Sequence, residues 1–503
     1  MFCSIKGATV YGVQGKIIKI ETDINDGLPS FDMVGLLSSE VREARERVRS
    51  SLKNMGITIP PKRITINLSP ASMKKEGTGF DLPIAVSILC SVGIIDNEKV
   101  KEYMFAGELG LDGTVKPVYG IISMVDAAVN EGIQKCIVPY DNINEARMIN
   151  KGEIIGITKL PEIIEIINYG IIQDKQICQC EEPEKDNIPD FSEICGQDSV
   201  IRAGLIAACG MHHFLMLGVP GSGKSMIASR IPYILPEPTQ NEMIEITKIY
   251  SASGKLCKDG LMRKRPYRAP HHTMTSTALI GGGRKPDCGE ISLAHNGVLF
   301  LDELTEFKRD TIDSLRQPME DGRIIINRIN GSCIFPAEFM LVGAANRCKC
   351  GYYPDRNRCN CSESDVKRYL QRISGPLLNR IDICVDIPKV SINDMGQKGK
   401  YSNKELKNIV NDVRKIQAER FKKCDILFNS RMNINHVKKY AGLKKEAEQI
   451  LKEAYEKLGM SARTYYKTIK VARTIADTDD SLYIEEKHIL EALGYRLDNL
   501  LEQ

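Results

Sequence analysis

A glycine-rich segment in the middle of the chain constrains its fold more than any other feature. Residues 218–225 read GVPGSGKS and fit the pattern G-x-x-x-x-G-K-[ST]. An apolar run (213–217) precedes them and a helix-compatible stretch (225–230) follows, which is the strand, loop and helix context of a phosphate-binding loop. The loop consists of Gly218, Val219, Pro220, Gly221, Ser222, Gly223, Lys224 and Ser225. The chain is therefore predicted to contain a strand that ends at this loop and a helix that starts from it.

The predicted loop suits the phosphates of ATP. Its glycines allow successive backbone N–H groups to point at the phosphates, while Lys224 would reach the β- and γ-oxygens and the Ser225 hydroxyl would bind Mg²⁺. A second apolar run, 298–303 (VLFLDE), ends in two acids. We expect Asp302 to complete the Mg²⁺ site and Glu303 to orient or deprotonate the attacking water. Together the two motifs predict ATP hydrolysis with ATP and Mg²⁺ as cofactors.

Two polar stretches, 173–190 and 391–403, divide the chain. The first is predicted to be a linker after an N-terminal domain (1–172). Between the stretches, in 191–390, short apolar runs alternate with helical stretches, which predicts an α/β domain with a parallel sheet. The runs are 214–217, 298–301, 339–342 and 381–387. In the last segment, 391–503, apolar residues recur at steps of three and four, which predicts a helical domain.

Charge and composition indicate the cellular location and the partners expected for this chain. The net charge of +4 over 503 residues is too small to imply binding to nucleic acid or membrane by itself. The uncharged stretch 203–223 is long enough to cross a bilayer, but it contains two histidines, five glycines and Pro220 and is not expected to do so. The N-terminus lacks the apolar core of a signal peptide. With sixteen cysteines, the chain is expected to be cytoplasmic, with thiols that are reduced or bind metal.

Four of these cysteines form two C-x-C pairs, Cys348 with Cys350 and Cys359 with Cys361. Four thiolates within fourteen residues can close a tetrahedral Zn²⁺ site and fix a loop that has little core of its own. An iron–sulfur cluster and four unligated thiols remain alternatives. Two further cysteines, Cys178 and Cys180, lie in the first linker and do not make a structural site alone.

Small-molecule kinases also contain a phosphate-binding loop, but the later motifs resemble those of the AAA+ ATPases. The apolar run 339–345 ends at Asn346, and 375–382 (GPLLNRID) places Arg380 just before another run. The resemblance implies that Asn346 hydrogen-bonds the water or the γ-phosphate, and that Arg380 is a finger inserted into the neighbouring subunit's site. It also implies that Arg463, before the helix predicted over 464–477, acts as the second sensor of the lid. A structural salt bridge is the alternative for each arginine.

Longer motifs narrow the resemblance. Residues 268–275 (RAPHHTMT), 280–283 (IGGG) and 289–304 (GEISLAHNGVLFLDEL) resemble the magnesium-chelatase-like AAA+ family, which includes the ComM and YifB proteins. Members insert elements near the second helix and add a β-hairpin before the first-sensor strand. Here 322–335 independently fits a hairpin, because two β-branched runs flank Asn330–Gly331. His271 and His272 lack a third ligand at suitable spacing, so we expect them to form polar contacts within the insert.

The N-terminal segment resembles the proteolytic domain of Lon, a fold of the ribosomal S5 domain 2-like type. The resemblance rests on 75–84 (KEGTGFDLPI) and 107–120 (GELGLDGTVKPVYG). Gly79 takes the position of the Lon serine and Ile122 that of its lysine, and neither can do the chemistry. A cryptic nucleophile, Ser72 or Ser123, is the alternative. The segment is therefore expected to keep the fold without peptidase activity, and to serve binding or ring assembly.

Basic residues mark candidate DNA contacts. Arg263, Lys264 and Arg265 begin the densest basic run, Arg284 and Lys285 follow the glycine turn, and Arg323 and Arg328 lie in or near the hairpin. The resemblance implies a homo-hexameric helicase that drives branch migration on branched or single-stranded DNA, where basic inserts would line the pore. A solvated basic loop is the alternative for the residues. For the protein, the alternatives are a protein-remodelling or metal-insertion ATPase like the magnesium chelatase AAA+ subunit, and a scaffold for protein partners.

Overall fold

A computed structural model describes residues 2–172, 188–256, 260–283, 287–328, 331–389 and 399–496. Strands and helices alternate in the N-terminal segment. The strands are β1 (Phe2–Tyr11), β2 (Gln14–Asn25), β3 (Ser30–Val34), β4 (Arg63–Ser69), β5 (Tyr103–Phe105), β6 (Glu108–Leu109), β7 (Val115–Lys116), β8 (Lys135–Pro139) and β9 (Glu153–Ile157). The helices are α1 (Ser39–Asn54), α2 (Asp81–Ser91), α3 (Ile121–Asn130), α4 (Ile143–Arg147) and α5 (Pro161–Tyr169).

Seven of these strands form a mixed sheet in the order β3-β4-β2-β1-β5-β8-β9. The β1–β2 and β2–β4 pairs are antiparallel, and the other pairs are parallel. Alternation in β4 buries Ile64, Ile66 and Leu68 on one face. All of α2 is buried, as its nearly continuous apolar sequence requires. The expected mixed α/β architecture is confirmed for this segment, whereas its S5 domain 2-like topology stays a prediction.

The middle segment carries a second set of elements. Its strands are β10 (Phe214–Gly218), β11 (Tyr267–Arg268), β12 (Gly281–Gly282), β13 (Asp287–Cys288), β14 (Gly297–Leu301), β15 (Arg323–Arg328), β16 (Gly331–Pro336), β17 (Phe339–Ala345) and β18 (Ile383–Ile387). Its helices are α6 (Asp198–Gly210), α7 (Lys224–Ile234), α8 (Gln240–Ala252), α9 (Ser276–Ile280), α10 (Glu290–Leu293), α11 (Arg309–Asp313), α12 (Arg316–Asp321), α13 (Glu363–Leu370) and α14 (Gly375–Leu378).

Five strands form a fully parallel sheet in the order β11-β14-β17-β10-β18. The four apolar runs predicted as strands all lie in it, and the parallel sheet is confirmed. The sequence did not predict β11, which is only two residues long and pairs with β14. Since parallel strands end at one edge, the carboxyl ends of β10, β14 and β17 meet there. The opposite, amino edge carries the residues that precede β17 and β18.

Two insertions depart from a plain parallel sheet. One, between α8 and β14, contains β11, α9, the short β12–β13 pair and α10. The other is the predicted hairpin, β15 and β16, which pairs from Arg323 opposite Pro336 to Arg328 opposite Gly331. The prediction placed Gly331 in the turn, which is wrong, because Gly331 is the first residue of β16. Asn330, Arg284 and Lys285 lie outside the described residues.

The C-terminal segment is helical, as predicted. Its helices are α15 (Asn403–Phe421), α16 (Ile434–Tyr440), α17 (Lys445–Lys457), α18 (Ala462–Thr478) and α19 (Glu486–Gly494). Ser402 and Glu405 form a capping box that starts α15, and Ser461 caps α18. These helices share one apolar cluster with α6, α7 and a face of the parallel sheet. Most of the predicted linker (173–187) and of the second polar stretch (391–398) lies outside the described residues.

The N-terminal segment packs on the middle one through α3 and α8. Lys248 Nζ lies 2.7 Å from Asp126 Oδ2, and the backbone N–H of Gly120 donates to Ser251 Oγ at 2.8 Å. The β1–β2 turn contacts the hairpin, since a Cβ on Gly12 would lie 3.5 Å from Cys333 Cβ. The N-terminal segment therefore contacts the hairpin and α8, the helix that precedes the other insertion. Among the described residues, no helix is long and apolar enough to span a membrane.

Candidate ATPase site

The glycine-rich loop connects β10 to α7 at the carboxyl edge of the parallel sheet. Gly221 and Gly223 have φ values of +75° and +86°, which favour glycine. Lys224 Nζ donates to the carbonyl oxygens of Gly218 and Val219 at 2.8 and 2.9 Å. Burial lowers the pKa of Lys224, while nearby Asp302, Asp386 and Glu303 act to raise it. The Lys224 ammonium thus binds the carbonyl oxygens of its own loop, and a bound phosphate would compete with them for it.

The predicted magnesium ligands lie together. Ser225 Oγ donates to Asp302 Oδ2 at 2.8 Å, across the gap between α7 and the end of β14. Hydroxyl and carboxylate oxygens are the ligands that Mg²⁺ uses beside nucleotide phosphates. The pair therefore fits the cation. The assignment of these two ligands stays a prediction.

Glu303 follows Asp302 in a left-handed conformation, with φ +48°, and its side chain is half exposed. Its Oε2 atom lies 3.2 Å from Nδ1 of His272, which comes from the insertion before β14. The ring of His271 packs on His272 with centroids 4.1 Å apart, and its Nδ1 bonds Thr273. The expectation that both histidines make contacts only within the insertion is wrong for His272, because it reaches the carboxylate predicted to act on water.

Asn346 lies where the prediction placed it, after β17 and between the two motifs. Its Oδ1 accepts from Lys224 Nζ at 3.2 Å. The next residue, Arg347, is buried and pairs with Asp386 of β18 at 2.9 Å. This ion pair fixes the backbone beside Asn346. The structure therefore brings Lys224, Ser225, Asp302 and Asn346 to one edge of the sheet.

Arg380 and Arg463 lie elsewhere, at the amino edge. Both pair with Glu320, Arg380 at 2.8 Å and Arg463 at 2.6 Å. They line a cavity of about 650 Å³ that also contains Arg431, Lys467 and Lys470. Since the strands are parallel, β10 separates this cavity from the chain's own phosphate-binding loop by roughly 15 Å. The predicted roles of the two arginines therefore require the site of another subunit.

The candidate DNA contacts divide into two groups. Arg263, Lys264 and Arg323 are exposed. Arg265 is only 6% exposed, forms a bidentate pair with Glu242 at 3.0 Å and donates to two backbone carbonyls. The prediction is therefore wrong for Arg265, whose guanidinium supports α8. The side chain of Arg328 lies outside the described residues.

Comparisons with known proteins cover nearly the whole chain. Three family profiles match it: "Subunit ChlI of Mg-chelatase" at 20–142, "Magnesium chelatase, subunit ChlI" at 190–395, and "Magnesium chelatase, subunit ChlI C-terminal" at 400–496. Competence protein ComM of Haemophilus influenzae is 40% identical, over 96% of this chain and 95% of ComM. The chain belongs to the magnesium-chelatase-like family of ComM and YifB. The uncharacterised protein YifB of Escherichia coli is 38% identical, over 97% of this chain and 96% of its own.

Membership of this family, with the loop at 218–225 and the acids after β14, makes the protein an AAA+ ATPase. The family implies ATP and Mg²⁺, and the residues described above fit both. The resemblance inferred from the motifs is confirmed. The roles of Glu303, Asn346, Arg380 and Arg463 stay predictions.

A partial likeness to Lon is also found. Lon protease 2 of Bacillus subtilis is 26% identical over 181 residues, which is 32% of each chain. In the structure a Cβ on Gly79 would lie 3.9 Å from Met124, so this position faces α3, the helix that carries Ile122. Ser123 is buried and donates to the carbonyl of Val13 at 2.8 Å, which occupies its hydroxyl. Ser72 is exposed.

The four predicted cysteine ligands also come together in this family member. The Sγ atoms of Cys348, Cys350, Cys359 and Cys361 all lie within 4.8 Å of one another. The loop that carries them follows Asn346 and leads to α13.

Sequence reasoning missed two residues of the site. Gln197 is buried before α6, and its Nε2 donates to the carbonyl of Ser222 at 2.6 Å, which supports the phosphate-binding loop. His272 is the other. The sequence predicts polar contacts within the insertion for its histidine pair, and no spacing rule connects it to Glu303.

Proposed function

We propose that the protein is an ATP-driven ring motor, a helicase or branch-migration factor that acts on branched or single-stranded DNA. The observation that carries the proposal is the likeness to a competence protein over nearly the whole of both chains. Because the likeness includes both insertions, it extends beyond the ATPase core. DNA as the substrate would place the protein in the cytoplasm.

A ring would complete the site. Lys224, Ser225, Asp302, Glu303 and Asn346 act on nucleotide from one subunit, and the basic cavity with Arg380 and Arg463 would face that nucleotide from the next. This is a heterologous interface, which closes into rings. We propose a homo-hexamer, with two catalytic faces on opposite edges of each sheet.

The insertions would grip DNA. Arg263 and Lys264 precede β14, which ends at Asp302, and Arg323 starts the hairpin that leads into β17 and Asn346. Exposed cations on elements tied to the nucleotide site can move when ATP is hydrolysed. In a ring, a few such cations from each subunit would give a strongly positive pore.

The test measures ATP turnover with and without single-stranded or branched DNA. The variant Arg263→Ala/Lys264→Ala/Arg323→Ala should keep basal turnover and lose DNA stimulation. Its salt dependence of DNA binding should become shallower by roughly 0.7–0.9 per phosphate contact removed. A matched control removes three exposed cations from the C-terminal segment: Lys415→Ala, Lys422→Ala and Lys457→Ala. Equal DNA stimulation in both variants would refute the pore assignment.

A metal-insertion or protein-remodelling ATPase is the second candidate, because the matching family profiles carry the name of a magnesium chelatase subunit. The same assay separates the two. If the protein forms rings and hydrolyses ATP, but no DNA structure changes its turnover, this candidate would be favoured over a DNA motor.

A further inference from the structure

We infer that the four cysteines bind one zinc ion, and that this ion holds the 348–361 loop against the phosphate-binding loop. The four sulfur atoms all lie within 4.8 Å of one another. Cys348 Sγ lies 3.3 Å from Cys350 Sγ and 3.7 Å from Cys359 Sγ, and Cys350 Sγ lies 3.4 Å from Cys359 Sγ and 3.6 Å from Cys361 Sγ.

These spacings fit one ion rather than other sulfur chemistry. A tetrahedral ion at about 2.3 Å from each thiolate places the sulfur atoms about 3.8 Å apart. Two disulfides would instead give two pairs near 2.05 Å with larger separations between them. A cluster of several iron atoms needs more room between its thiolates than this group leaves. A single tetrahedral ion bound by four thiolates is zinc or one iron, and the ligand set favours zinc.

A bound ion would tie this loop to the core. Residues 347–362 contain no helix or strand, and their local backbone hydrogen bonds come from three turns, which end at Gly351, Asp355 and Cys359. Cys348 and Cys359 are buried in the core, whereas Cys350 is exposed. The ligand group therefore joins the core to the surface side of the loop, and the exposed thiol leaves a path for the ion to enter.

The loop also contacts the nucleotide site. Gly351, between the two cysteine pairs, approaches the phosphate-binding loop so closely that a Cβ there would lie 2.7 Å from Pro220 Cγ. The same Cβ would lie 3.9 Å from Asn346 Nδ2. Its φ of +86° also favours glycine. Zinc on Cys348 and Cys350 would fix the turn that carries Gly351, and through it the position of Pro220.

The first experiment measures metal. Full-length protein purified without chelator or metal-binding tag is analysed for zinc and iron. We expect about one zinc per chain. Cys350→Ser/Cys361→Ser, which spares the two buried thiols, should lose it, while Cys424→Ser, whose residue bonds Tyr440, should keep it. About one iron per chain, or no metal in the wild type, would overturn the zinc assignment. Zinc retained by the double variant would overturn the ligand set.

The second experiment measures the coupling. Gly351→Ala should keep its zinc and bind a fluorescent ATP analogue about fivefold or more weakly, since Pro220 must move. Gly459→Ala is the matched control, because it has positive φ but open space around its Cβ. Wild-type protein stripped of zinc should weaken similarly and recover when zinc returns. Unchanged nucleotide affinity in both Gly351→Ala and the stripped protein would overturn the coupling. Neither experiment involves DNA, so their failure is distinct from failure of the DNA proposal.

Discussion

Arg380 should act on ATP bound by a neighbouring subunit, and this prediction follows from sheet geometry. Lys224 lies at the carboxyl edge of the parallel sheet and Arg380 at the amino edge, on either side of β10. Five strand residues span roughly 15 Å, further than the side chain can reach. Arg380→Ala should therefore lower turnover on the order of 10³-fold or more while leaving the subunit's own nucleotide binding intact.

Mixing two inactive variants should restore a calculable fraction of the ATP turnover. Subunits with Lys224→Ala lack a functional phosphate-binding loop, and those with Arg380→Ala lack the arginine. In a random equal mixture, a complete site forms wherever an Arg380→Ala subunit receives the arginine of a Lys224→Ala neighbour. Each partner has a chance of one half, so about one quarter of the interfaces are complete, and turnover should reach about a quarter of the wild-type value. If the arginine acted within its own subunit, no mixture would contain a complete site.

The assay follows ATP turnover across mixing ratios after subunit exchange, with assembly measured by light scattering. Activity should be near zero at both ends and highest near equal proportions. The same experiment with Arg463→Ala in place of Arg380→Ala should behave alike, because both arginines meet at Glu320. Absence of activity at every ratio, in rings shown to contain both variants, would refute the reasoning.

Three further predictions concern single residues. Lys224→Ala should abolish ATP binding, whereas Glu303→Gln should still bind ATP and lose about 10²-fold or more in turnover. Equilibrium binding and phosphate release measure the two effects. Normal hydrolysis in Glu303→Gln would show that Glu303 does not act on the attacking water. His272→Ala frees the Glu303 carboxylate and should raise basal turnover up to about fivefold while reducing stimulation by DNA, and unchanged values for both would contradict this. Burial raises the pKa of Glu145 to about 7, so its contribution to stability is full below pH 4.5 and is lost as pH rises through 7. Urea unfolding at a series of pH values should show that the wild type loses about 3 kcal/mol of stability over this range and that Glu145→Gln does not. Parallel plots of unfolding free energy against pH for the two proteins would contradict this.

The nucleotide site could be predicted from sequence because each of its parts is local. A strand that ends in a glycine-rich loop or in two acids places its side chains at a known edge, whatever lies between the motifs. Gly218 to Ser225, Asp302 and Asn346 therefore come together as the pattern requires. The parallel sheet follows for the same reason, since four apolar runs alternate with helices.

Contacts between distant segments could not be predicted. Arg265 looks like part of an exposed basic run in the sequence, but both of its terminal guanidinium nitrogens donate to Glu242 of the preceding helix. Glu320 joins Arg380 to Arg463, and no spacing in the sequence relates these three. His272 reaches Glu303 only because the insertion folds back over the end of β14. In each case the partner of the side chain is distant in sequence and is brought to it by the tertiary fold.

Ile122, at the position predicted to correspond to the Lon lysine, lies near the contact between the N-terminal segment and α8. Ile122 is fully buried in a cluster that Ile244 of α8 packs against, so an apolar side chain on α3 adds to the interface with the ATPase. A lysine there would bury a charge unless it were paired. Since α8 ends where the insertion begins and packs against α3, a movement of the insertion would displace α8 relative to α3. The predicted absence of peptidase activity and the packing of α8 on α3 are thus consistent with one another.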